Sequence, residues 1–239
     1  LLYMEKQKHK WSKAFWVANV VELFERAAYY GVFIVITLYL SRILGFNDIQ
    51  SASIAGVFSA CLYLLPTFAG ALADKIGFRI SMLLAFSLLT LGYAGLGIFP
   101  TLLESSGLVE YSMTTKFTGL LESNVRYGII PIMALIVIGR SFIKSVITGT
   151  VAKETTPENR AKGFSIFYSM VNIGSFSGKT IVKPLREALG NEGLITLNYF
   201  SASMTLLALI AVWFLYKSAQ HSGEGKTFGQ IWRALIKVC

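Results

Sequence analysis

Histidine and cysteine are scarce in this chain of 239 residues, with two of each. Both histidines, His9 and His221, lie outside the apolar stretches. A proton carried inside those stretches would therefore ride on a carboxylate rather than an imidazole. Cys61 falls within an apolar segment and Cys239 is the last residue, so no disulfide framework is expected. No Asn-x-Ser/Thr sequon occurs. The pattern of a cleavable signal peptide is missing too: the first ten residues are basic, and the apolar run that follows is too long for an h-region. There is no nucleophile–base pair, metal-ligand cluster or phosphate-binding loop. The expectation is a protein that is not an enzyme and needs no cofactor or metal.

Apolar residues are abundant. They make up 54% of the chain, and the mean hydropathy is +0.58. Several separate apolar segments point to an all-α, multi-pass membrane protein. The net charge of +9 does not argue for nucleic acid, because the basic residues gather at the ends of the apolar runs. Six spans are predicted over 14–40, 51–73, 80–99, 127–151, from 163 to a disruption near Pro184, and 195–216. Pro100 is expected to end the third span, ahead of a polar external loop over 101–126. The sixth is nearly free of charge and is expected to be peripheral. Residues 1–13 form a basic flank. Residues 217–239 place Phe228, Ile231, Trp232, Leu235 and Ile236 at helical spacing, as in an amphipathic helix lying on the bilayer surface. Thirteen lysines and arginines fall on one side of this topology and five on the other. The positive-inside rule then puts both ends in the cytoplasm.

The first span contains Glu22, Glu25 and Arg26. Each costs at least about 2.5 kcal/mol near a bilayer centre on insertion scales. Glu22 shares a helical face with Glu25 and Arg26, and Tyr29 and Tyr30 follow one turn later. Such a face must meet a polar cavity or protein partners. Arg140 and Lys144, four residues apart, share a face on the fourth span. Tyr168 and Asn172 do so on the fifth, where Asn172 offers both a donor and an acceptor to an amide-bearing ligand. Lys179 comes later on that span and is expected to snorkel toward the outer face.

The run Glu-x-x-Glu-Arg followed by Tyr-Tyr-Gly resembles the first-helix motif of the proton-dependent oligopeptide transporters, members of the major facilitator superfamily. GALADKIGFR, residues 70–79, is similar to the superfamily's loop signature, with Gly70, Leu72, Ala73, Asp74, Lys75, Gly77 and Arg79 in place. GRSFIKSVITG resembles the family's fourth-helix segment, where an intramembrane lysine stands at Lys144. FSIFYSMVNIGSF is close to its second signature.

The resemblance implies an N-terminal half of the superfamily fold, six helices arranged as a 3+3 inverted repeat. It implies a proton-coupled carrier of di- and tripeptides in the cell membrane, driven by the proton gradient and completed by a second six-helix half. Helices one and four would face one cavity, with Glu22, Glu25 and Arg26 opposite Arg140 and Lys144. A glutamate paired with Lys144 would take up the proton and release the pair. Substrate would meet Tyr29, Tyr30, Tyr63, Arg140, Tyr168 and Asn172. Gly70, Asp74, Lys75, Gly77 and Arg79 would form the gating loop, with Asp74 in want of a partner. The chain departs from the family at Phe33, where an arginine usually stands, and in its extra cations Arg140 and Lys179. That excess of embedded cations supports a second reading, a carrier of organic anions. A third is a non-transporting membrane scaffold or regulatory subunit.

Overall fold

The computed structural model describes residues 10–109 and 124–216, nearly all of them helical. The expected surface helix over 217–239 and most of the polar loop lie outside the described residues. In chain order the helices are α1 (Lys13–Phe33), α2 (Ile36–Arg42), α3 (Asp48–Leu64), α4 (Pro66–Ile76), α5 (Phe78–Ser105), α6 (Ile129–Lys153) and α7 (Arg160–Leu215). A 3-10 turn, Asn124–Gly128, leads into α6.

The first two predicted spans are each bent rather than straight. α1 starts at Ser12, whose hydroxyl accepts from the Phe15 N–H at 3.0 Å. It breaks at Ile34–Val35, where the Val35 N–H turns back to the Val32 carbonyl in a tighter bond, and α2 continues at 43°. α3 opens with a capping box between Asn47 and Gln50. Pro66 has no N–H to continue it, so α4 departs at 45°. The carbonyl of Pro66 itself accepts from Ser145 Oγ at 3.0 Å, which ties the elbow to α6.

Pro100 does not end the third span, contrary to expectation. α5 runs through it to Ser105. A proline frees the carbonyl four residues earlier, here that of Leu96. The Tyr39 hydroxyl donates to that carbonyl at 2.6 Å. A neighbouring helix thus supplies the hydrogen bond that the proline removed.

The break between the fifth and sixth spans is likewise not at Pro184, which lies inside α7. It is at Gly190, with φ 56° and ψ −123°, a conformation that L side chains rarely adopt. A straight helix of 56 residues would run about 84 Å, far beyond the bilayer's ~30 Å core. α7 therefore folds into two limbs, 160–189 and 191–215. They close so tightly that a Cβ on Gly193 would strike the Leu185 carbonyl. With the two bent pairs and both limbs of α7, the described residues form six candidate spans by length and composition.

Packing centres on α1. On one side the first limb of α7 presses Gly174 and Gly178 against the backbone of Leu23 and Ala27, where any added Cβ would collide. On the other, Ser201 Oγ of the second limb donates to the Ala28 carbonyl at 2.8 Å. The second limb is less peripheral than expected. Its buried stripe of Asn198, Ser201 and Thr205 meets α1 and α5, and Thr205 bonds Thr90 at 3.1 Å. The first limb is the exposed one.

Candidate functional site

Four charged side chains gather where α1 and α6 face each other. Glu22 and Glu25 are buried, with 5% and 1% of their surface exposed, and Arg140 is buried at 9%. Arg26 Nε lies 2.9 Å from Glu22 Oε1, and Arg26 Nη2 lies 2.6 Å from Glu25 Oε2. Arg140 Nη1 donates to the other oxygen of Glu25, Oε1. Two carboxylates thus meet two guanidiniums, and the cluster is neutral overall. That is how charges persist in a low-dielectric interior. The Arg26 contacts are close ion pairs, but Arg26 Nε and Glu25 Oε2 lack well-aligned hydrogen bonds. Arg140 also lies over the Tyr29 ring, its Cζ 3.4 Å from the centroid. Tyr29 stacks on Phe33 at 4.7 Å and meets the edge of Tyr30 at 5.1 Å.

The expected pair between a glutamate and Lys144 is absent among the described residues. Arg140, one turn earlier on α6, takes that place. Lys144 is exposed, with Nζ 5.6 Å from the Tyr63 ring, itself 72% exposed. Arg140, expected to touch substrate, is instead inside the ion cluster. Tyr168 and Asn172 are exposed on the first limb of α7. Lys179 is on that limb too. Its neighbour Gly178 is pressed on Ala27, near the middle of the α1–α2 span, and Lys179 Nζ lies 4.7 Å from the Tyr30 ring.

The loop motif builds the turn between α4 and α5. Gly77 joins them with φ 89° and ψ 147°, which is why glycine is needed there. Gly70 allows close approach: a Cβ there would stand 3.1 Å from Ser145 Oγ. Arg79 Nη2 donates to the Trp213 carbonyl at 3.0 Å, fastening the turn to the end of α7. Asp74 and Lys75 are exposed, and no ion pair recorded among the described residues includes either.

Residues 18–238 match the model of the Major Facilitator Superfamily. The chain belongs to the major facilitator superfamily. Its curated relatives within the superfamily include dipeptide and tripeptide permeases. A dipeptide and tripeptide permease B of Yersinia enterocolitica is 26% identical over 231 residues, covering 95% of this chain and 41% of that protein. A dipeptide and tripeptide permease A of Serratia proteamaculans is 31% identical over 203 residues, covering 83% and 35%. Among solved structures, one described as "Structural insights into substrate recognition in proton dependent oligopeptide transporters" superposes with a TM-score of 0.68. It is 24% identical, over 94% of this chain and 46% of that one. Another, a POT family transporter in complex with 5-aminolevulinic acid, has a TM-score of 0.67 at 20% identity, over 94% and 43%. The chain thus spans about two-fifths of its curated relatives' length, and the fold is half of the superfamily's.

Two polar contacts of this superfamily half were not anticipated from sequence. Arg126, expected on an external loop, is buried. Its Nη1 donates to the Gly45 carbonyl at 3.0 Å, and its Cζ lies 4.7 Å from the Phe46 ring. Asn19, one turn before Glu22, is fully buried, and its Nδ2 donates to the Phe15 carbonyl at 2.8 Å. A polar residue three before Glu22 was the available signal for Asn19. Nothing local marks Arg126 as buried, because its hydrogen-bond partner is about eighty residues away in sequence.

Proposed function

We propose that this chain is one half of a proton-coupled secondary transporter of di- and tripeptides, working by alternating access with a second six-helix half. The support is the names of the relatives and one observation above all: a neutral, buried cluster in which Glu22 meets a single guanidinium. Glu25 meets two. Protonating Glu22 gives up one ion pair, whereas protonating Glu25 gives up two. Glu22 is therefore the proton carrier in this reading. Its protonation leaves the cluster with one more positive charge than negative, inside a medium that penalises net charge. A bundle conformation that admits water or substrate anion to the cluster is then favoured over the closed one. Arg140 holds Glu25 in place, and Lys144 is left to meet substrate instead of pairing with a carboxylate.

The same reading takes residues 14–216 as the transmembrane bundle, with the flank 1–13 and the tail 217–239 on the cytoplasmic side. The turn Gly70–Arg79, whose Arg79 reaches Trp213, is the gating loop; Asp74 meets its partner on the second half. No step of the cycle is enzymatic. The test is peptide-driven proton entry into proteoliposomes. Glu22→Gln should abolish the proton current. A current undiminished in that variant would end the proposal. The second reading, a carrier of organic anions, is favoured by the exposed ammonium groups of Lys144 and Lys179. It predicts uptake of a small acid that no peptide competes for.

A further inference from the structure

Lys179 has no carboxylate within ion-pair range among the described residues, and it is exposed. Its depth makes this unusual. Gly178 packs on Ala27, and the α1–α2 span runs from Lys13 to Arg42. In a bilayer with a core of ~30 Å, a group at the middle of that span is about 15 Å from either interface, further than a four-carbon stem reaches. An ammonium at mid-depth that cannot snorkel must face water or an anion.

The surroundings say which anion. Tyr168, Asn172 and Lys179 are spaced four and seven residues apart, so they lie on one stripe of the first limb of α7. All three are exposed. Asn172 and Lys179 are separated by about 10 Å along the axis. That matches the length of an extended tripeptide, which spans about 10 Å. Asn172 can both donate to and accept from an amide. Lys179 also leads back to the charge cluster through two rings: its Nζ lies over Tyr30, Tyr30 meets Tyr29, and Tyr29 lies under Arg140.

From this geometry we infer that Lys179 is the carboxylate-holding residue of the substrate site, two turns from Asn172 on the same helix. The inference rests on the transport reading, and it names a residue and a ligand group that this reading does not supply. A carboxylate seated at Lys179 reaches the ion cluster through the tyrosine pair, so substrate and proton act on neighbouring groups.

The test uses the protein in nanodiscs and three probes: trialanine, its C-terminal amide, and succinate. Binding is measured by titration calorimetry. Trialanine should bind about tenfold or more tighter than its amide, the size of a lost charge-assisted hydrogen bond. Lys179→Gln should erase that difference, and Lys179→Arg should keep most of it. In the unmodified protein, trialanine should also shield Lys179 from acetylation by acetic anhydride, read by mass spectrometry without any variant. Discrimination that survives in Lys179→Gln, absence of shielding, or no Lys179-dependent binding of any probe would overturn the inference. If succinate alone binds through Lys179, the carboxylate site stands and the peptide reading falls. If trialanine binds through Lys179 without driving protons, the site stands and the coupling reading falls.

Discussion

Arg140 and Lys144 stand one turn apart on α6, yet they live in different surroundings. Arg140 is buried on Glu25 and Tyr29. Lys144 is exposed above Tyr63, and Lys179 is exposed above Tyr30 in the same manner. In the first region each charge is matched and the helices are locked together. In the second, cations rest on aromatic rings with no ion pair recorded among the described residues. The difference shows how a membrane protein separates two tasks that use the same residue types. In the proposed reading, matched charge is structural and switchable by a proton, and unmatched charge is a place for a ligand.

The largest effect should come from opening the matched region. Arg140→Met leaves Glu25 with one partner, and breaking a buried pair of this kind costs about 3–5 kcal/mol. The variant should unfold in detergent well below the parent, and Glu25→Gln added to it should recover part of the loss. If the double variant is no better than the single one, the pair is not coupled as described. Tyr39→Phe gives a yardstick for a buried contact without charge. It leaves the Leu96 carbonyl unsatisfied, at a cost of about 1–3 kcal/mol. Replacing Pro100 by alanine should rescue it, since a restored N–H at position 100 can reclaim that carbonyl. Lys144→Ala and Lys179→Ala should change stability by no more than about 0.5 kcal/mol, while impairing substrate binding. A loss of stability as large as that of Arg140→Met would dissolve the contrast between the regions. The smallest effect is that of salt. Added salt should weaken binding at the exposed lysines and leave the melting temperature nearly unchanged, because buried pairs are screened much less.

The six spans were legible because a run of about 20 apolar residues has few other uses. The acids on the first span stood out because a charge there is expensive. The breaks were harder to place. Pro100 and Pro184 look like helix ends, but a bilayer protein tolerates proline where another helix supplies the missing bond, as Tyr39 does at Leu96. The reversal needed a positive φ, and only Gly190 satisfies it there. The choice between Arg140 and Lys144 depended on depth. The pattern put both on one face, but it could not say which of two adjacent turns is level with Glu25. That level is set by how α1, α5 and α6 pack, including Gly92 of α5 closing on Ile136. Lys179 was read as reaching for the outer face because its depth follows from Gly178 against Ala27, a contact about 150 residues apart in sequence.

The central claim is that Glu22, held by one guanidinium, takes the proton while Glu25, held by two, does not. Infrared difference spectroscopy of the protein in nanodiscs, between alkaline and acidic buffer, reads this directly through the carbonyl stretch of a protonated carboxylic acid. The account predicts a band that disappears in Glu22→Gln and persists in Glu25→Gln. A band that persists in Glu22→Gln and disappears in Glu25→Gln would contradict it.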